Sequence, residues 1–142
     1  MSTKYPAMGV DSLMLSPVAI ATTERTANLD TAGANYATIR CNIGVELNTN
    51  ATNVPIQILE ADNTSASSFV TFNASFQRTI DNASGTIATS HIDLEGRKRY
   101  LRLVVTPDTT TNGTVSISAI GTLYKDVRSG TVTDYGTNTI IG

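Results

Sequence analysis

Ile39, Cys41, Ile43, Val45 and Leu47 alternate with Arg40, Asn42, Gly44 and Glu46. Successive side chains of a strand point to opposite faces, so this period of two marks a strand with one face in a core. The pattern recurs along the chain. Ile56 and Ile58 lead a second strand that runs to about Ala61, and Phe69-Val70-Thr71-Phe72 is a short apolar run behind a polar loop, Asp62 to Ser68. Phe76, Arg78 and Ile80 suggest another strand, and Thr86 to Leu94 a weaker one carrying Ile87, Ile92 and Leu94. Leu101, Leu103 and Val105 alternate with Tyr100, Arg102 and Val104 before Pro107 closes the run. Val115, Ile117, Ala119 and Leu123 form a return strand after the turn-rich Pro107–Gly113 segment, so these two strands are expected to pair as a hairpin with a long loop. Many short strands, polar turns and no helical period predict an all-β, single-domain β-sandwich or barrel.

A chain of 142 residues fits one domain and can bury a core without metals or disulfides. Charged residues make up 15% of it, against roughly 25% in a typical soluble domain. Ser, Thr and Asn fill the difference. A neutral surface of hydroxyls and amides desolvates more cheaply than a charged one, which suits extensive protein contact. The net charge of −2 supplies no field for nucleic acid or for an anionic membrane surface. No apolar run approaches the roughly 20 residues of a helical membrane span, and Met1–Pro6 lacks the apolar stretch of a secretory signal, so synthesis in the cytoplasm is expected. The Asn-x-Ser/Thr triplets at Asn50, Asn63, Asn73, Asn82 and Asn112 then read as loop composition.

The two ends depart from the strand pattern. Residues 1–17 carry Tyr5, Met8, Val10, Leu13, Met14 and Leu15 without a clean period. Residues 126–142 are rich in Gly and Thr, yet include Val132 and Tyr135 and finish on Ile140 and Ile141. β-Branched and aromatic residues are uncommon in purely disordered tails. The chain therefore divides into an N-terminal arm (1–17), a sandwich domain (18–125) and a C-terminal segment (126–142) that is either an arm or a last edge strand. An arm would order against a neighbouring subunit by strand addition or groove contact; the plainer alternative is a frayed tail.

Residues for chemistry are sparse. His91 is the one histidine; it neighbours Ser90, but adjacent strand residues point apart, so no base–nucleophile pair forms there. Cys41 is the one cysteine and falls on the apolar side of its strand, where a small buried hydrophobe is expected rather than a reactive thiol. Glu60, Asp62, Asp81, Asp93 and Glu95 lack calcium-loop spacing, and no phosphate-binding glycine motif occurs. The expectation is no enzyme, no metal and no cofactor.

One basic run stands out, Arg97-Lys98-Arg99 with Arg102 beyond it and Tyr100 interleaved. It could grip phosphates. The absence of a wider basic field favours a solvated turn or a protein contact instead. Candidate contacts are thus Arg97, Lys98, Arg99 and Arg102 in this run, Tyr5, Met8 and Leu13 at one end, and Tyr135, Ile140 and Ile141 at the other.

The stretch His91-Ile92-Asp93-Leu94-Glu95-Gly96-Arg97-Lys98-Arg99-Tyr100-Leu101-Arg102-Leu103-Val104-Val105-Thr106-Pro107 is similar to a pattern in small virion proteins of tailed bacteriophages, Ile-Asp-Leu-x-Gly-Arg-x-Arg-Tyr-Leu leading into an apolar strand. Tyr36-Ala37-Thr38-Ile39 and Ile58-Leu59-Glu60-Ala61-Asp62 fit it too. The chain resembles a capsid decoration, or cement, protein over about residues 30 to 125. The resemblance implies a jelly-roll-like β-sandwich on the capsid exterior of the virion, assembled as a homotrimer and bound to the major capsid protein, with no direct contact to nucleic acid or membrane. Alternatives are a tail or baseplate adaptor and a small carbohydrate- or receptor-binding module. The latter would use exposed aromatics, and Tyr5, Tyr36, Tyr124 and Tyr135 are dispersed along the chain.

Overall fold

A computed structural model describes residues 9–20, 24–44, 52–71, 77–81, 86–106, 108–109, 115–125 and 139–141. Eleven strands make up the described fold: β1 (Val10–Ile20), β2 (Arg25–Asp30), β3 (Tyr36–Ile43), β4 (Thr52–Ala61), β5 (Val70–Thr71), β6 (Gln77–Asp81), β7 (Thr86–Asp93), β8 (Tyr100–Val105), β9 (Asp108–Thr109), β10 (Val115–Tyr124) and β11 (Thr139–Ile141). A single 3-10 turn, Ala66–Ser68, precedes β5.

The alternation read from the sequence is the reason for two layers. In β3, Ala37, Ile39, Cys41 and Ile43 are buried while Arg40 between them is exposed. Leu101, Leu103 and Val105 of β8 do the same for the second layer, and Val115, Ile117 and Ala119 of β10 return the core face to the first. Together with Val54, Ile56 and Ile58 of β4 and Ile92 of β7, they form one apolar cluster. A shared core of this kind removes the inner face of both sheets from water, the dominant favourable term in folding.

The first sheet has the order β1-β10-β3-β7-β11, and the second β2-β8-β4-β5 with β6 and β9 also on β4. The antiparallel pairs are nested: β1 with β10, β2 with β8, β3 with β7, and β4 with β5 and β6. Successive limbs of that nest alternate between the sheets, which is the jelly-roll layout found in viral capsid and lectin domains and in cupins. The expected all-β, single-domain sandwich is present, with the jelly-roll order. β9 extends the line of β8 along β4, since Val105 faces Ile56 and Asp108 faces Asn53.

Two expectations change, and one strand is added. β8 and β10 do not form a hairpin: β8 lies between β2 and β4, whereas β10 lies between β1 and β3 in the other sheet. Periodicity reports which face a residue takes, not which strand is its neighbour. The boundary expected after residue 17 falls inside β1, where Val10–Ile20 runs along β10 as an edge of the domain. Finally, β2 was not legible as a strand, because Leu29 is its one fully buried apolar residue. Residues 1–8, including Tyr5 and Met8, and residues 126–138, including Tyr135, lie outside the described residues, as do Val45 and Leu47.

Candidate functional site

The β2–β3 turn, the end of β4 and the β7–β8 turn meet at one end of the sandwich. Backbone hydrogen bonds tie them together: Thr31 N–H donates to the Arg99 carbonyl at 2.9 Å, and Leu94 N–H donates to the Asn35 carbonyl at 3.1 Å. The end of β10 joins through Asn35 N–H, which donates to the Tyr124 carbonyl at 3.1 Å. Asp93 Oδ1 accepts the Glu95 N–H at 3.0 Å, and Gly96 takes φ +72°, a left-handed conformation that lets the chain reverse before the basic run.

Each of the three consecutive bases faces a carboxylate from a segment distant in sequence. Glu60, at the end of β4, is buried; its Oε2 accepts the Lys98 backbone N–H at 3.0 Å and its Oε1 lies 3.8 Å from the Arg97 guanidinium. Lys98 Nζ is 3.6 Å from Asp62. The Arg99 guanidinium takes Asp30 in a two-pronged geometry, Nε to Oδ1 and Nη2 to Oδ2, both at 2.9 Å, and also sits 5.0 Å from the Tyr100 ring centre. Arg102 points across the outside of the second sheet, donating from Nε to Asn28 Oδ1 at 2.8 Å and stacking over the Phe69 ring at 3.9 Å.

The run that reads as a cationic patch in sequence is therefore charge-compensated in space. Glu60 and Asp62 are themselves engaged by Arg97 and Lys98. Among the described residues, no group of three or more His, Cys, Asp or Glu side chains is placed to hold a metal. Nor is any helix among them long and apolar enough to cross a membrane.

Hydrogen bonding from Arg99 and from the Ala32 N–H holds the Asp30 carboxyl below its ordinary 3.8. A carboxylate whose folded pKa is depressed contributes stability above its unfolded value and loses it as pH falls through the folded one. Asp30→Asn is thus expected to lower stability slightly near pH 7 and not at all at the acid end, flattening the acid limb by the same small amount, because both partners are exposed. Thermal melts of the two proteins across pH 2–7 measure this directly.

The outer face of the first sheet carries a second cluster that the sequence did not reveal. Tyr36 opens β3 and Tyr124 closes β10, so the antiparallel register sets them side by side, ring centres 5.9 Å apart. His91 stacks on Tyr36 at 6.3 Å, with its Nδ1 3.3 Å from the Thr38 hydroxyl. Thr38 and Thr122 are buried beneath these rings, and Thr122 donates to Asp11. Loss of solvent pushes the Tyr36 phenol up to about 12, with the neighbouring Tyr124 and Asp93 acting in the same direction. Gly9 lets β1 approach here, since a side chain on it would collide with Thr122 and Tyr124. Two residues placed at the ends of neighbouring antiparallel strands could have been paired in advance only by knowing that β3 and β10 are neighbours.

Ser90 is buried and faces the core, whereas His91 faces outward, so the two do not meet. Cys41 is buried between the sheets. Leu13 is 64% exposed and directly opposite Ile120, itself 37% exposed, on the outside of the first sheet. Ile140 and Ile141 lie in β11, in register with Ser90 and His91 of β7. The contact candidates among the described residues thus occupy three separate regions: Arg97, Lys98, Arg99 and Arg102 at and beside the charged end, Leu13 at one edge of the first sheet and the β11 positions at the other.

No family model matches the chain, and no curated protein matches it. Among solved structures it is similar to a chain from desmodium yellow mottle tymovirus, with a TM-score of 0.39 and 10% sequence identity over 93% of this chain and 94% of that one.

Proposed function

We propose that this chain is a structural virion protein that binds the outside of an assembled tailed-phage capsid and stabilises it by bridging capsomers as a homotrimer. The observation that carries the reading is the resemblance of residues 91–107 to the phage pattern, set on a jelly-roll scaffold whose turn at that stretch is built as a rigid, charge-compensated platform. The platform suits a protein partner better than a polyanion, because its cations already hold carboxylates of the same chain and a phosphate would have to displace them. Such a protein acts without catalysis, metal or cofactor. A ligand that binds only the assembled shell stabilises it by mass action, and three linked contacts multiply modest single affinities.

Mixing the purified protein with empty expanded shells, unexpanded shells and isolated tails tests this. Saturable binding to expanded shells, at hundreds of copies per particle, is the expected result. Binding to tails and not to shells overturns it in favour of the adaptor role.

The pairing of Tyr36 and Tyr124 on an outer face favours a second reading, a carbohydrate-binding module, since adjacent half-buried phenol rings, tilted to one another and flanked by Asp11 and Asp93, offer aromatic faces beside carboxylates for a sugar. Glycan-array binding lost in Tyr124→Ala, with shell binding absent, would move the assignment there.

A further inference from the structure

The two edges of the first sheet are treated differently by the sequence. β1, at one edge, contains Pro17 and shifts register against β10 between Leu13 and Leu15 and again between Leu15 and Val18. Proline and irregular pairing are devices that keep an edge from recruiting another strand. β7, towards the other edge, has the sequence Thr-Ile-Ala-Thr-Ser-His-Ile-Asp, with no proline and no lysine, and pairs with β3 without a register shift. It is a regular edge with nothing to blunt it, and a strand does sit on it. Thr139, Ile140 and Ile141 pair with Thr89, Ser90 and His91 in parallel.

A long stretch of sequence lies between β10 and that strand. Residues 126–138 separate Lys125, just past β10, from Thr139. Extended, they span about 45 Å. The step from β10 across β3 and β7 to the position of β11 is three strand spacings, about 14 Å. A domain of this length has a radius of gyration of about 14 Å, so that length of chain also suffices for the β7 edge of a copy packed alongside. A three-residue strand forms few hydrogen bonds, and its occupancy of the edge depends on the effective concentration set by the length of chain before it. A neighbouring copy in a closed ring offers the same edge at a similar effective concentration, which makes exchange an inexpensive route to linking subunits.

We propose that the β7 edge is a strand-acceptor site which, in the oligomer, is filled by the Thr139–Ile141 strand of a second copy of this chain. Each subunit then donates one strand and receives one, and the exchanged strands tie the ring shut. The proposal rests on the homo-oligomer of the proposed function for its partner and on nothing about the shell.

Cysteine pairing decides it. Thr89 and Thr139 face each other in the register, and Cys41 is buried away from both. Chains carrying only Thr89→Cys are mixed with chains carrying only Thr139→Cys, oxidised and run without reductant, so that a heterodimeric disulfide forms only if the strand comes from another copy. The double variant T89C/T139C, dilute, reports closure within one chain. The expected result is a crosslinked dimer in the mixture and, in the concentrated double variant, a ladder that ends at the size of the closed ring. An internal disulfide in the double variant with no dimer in the mixture overturns exchange. Absence of any disulfide overturns the acceptor site itself. Because no shell is present, either failure is distinct from a failure to bind capsids, which the shell-mixing experiment reads separately.

Discussion

Leu103→Ala is expected to destabilise the domain by about 2–5 kcal/mol, the range for removing a leucine side chain from a packed core. Leu103 is fully buried at the centre of the second sheet, opposite Ala27 of β2 on one side and Ile58 of β4 on the other. Both neighbouring strands are held in register at that point, so the sheet has little freedom to collapse into the space left behind. That places the expected effect in the upper part of the range. Single domains are stable by about 5–15 kcal/mol, so the loss is a large share of the total. Urea or guanidinium titration followed by far-UV circular dichroism measures it, with an unchanged slope showing that the unfolded state is not responsible. A change below about 1 kcal/mol would mean that the two sheets are not packed through this residue.

How much of this architecture is legible in the sequence depends on what periodicity encodes. The burial of Ile39, Cys41, Ile43, Leu101 and Leu103 follows from alternation alone, and the structure places all five in the core. β1 hides because its register shifts interrupt the period: Leu13 faces out opposite Ile120, while Leu15 is buried two residues on. β2 hides for a different reason. Arg25, Thr26, Asn28 and Asp30 are exposed, and a strand that buries mainly Leu29 resembles a loop until its partner β8 is known.

The basic turn shows the same limit in electrostatic form. Arg97, Lys98 and Arg99 are adjacent in sequence, but their charged groups meet Glu60, Asp62 and Asp30, the last at a separation of 69 residues from Arg99. A local reading sees the cations and cannot see their partners. Nested pairing is what brings those carboxylates in, since β4 and β2 flank β8 on its two sides. The charge compensation is therefore a property of the topology, visible only once the strand order is known.

Cys41 is expected to resist thiol reagents in the native protein and to react fully once the chain unfolds. Burial between the two sheets pushes its thiol from 9.0 up to about 12. The thiolate is the reactive form, so at pH 8 this shift alone lowers its population about a thousandfold. Steric exclusion by Ile39, Ile43 and the facing sheet lowers the rate further. Mixing with a chromogenic disulfide at pH 8 should give negligible release over minutes, then one equivalent per chain in denaturant. Rapid native release would place the thiol at the surface and contradict the inward face of β3. Labelling that does occur must pass through opening of the sandwich, and when reclosing is fast its rate tracks the population of the open state. Leu103→Ala should then accelerate labelling by the factor that its lost stability implies, about tenfold for each 1.4 kcal/mol, provided that the opening is global. A much smaller acceleration would show that Cys41 is exposed by local parting of β3 from its neighbours and not by unfolding of the whole jelly roll. Cys41 labelling and the Leu103→Ala titration therefore determine together whether the two sheets behave as one cooperative unit.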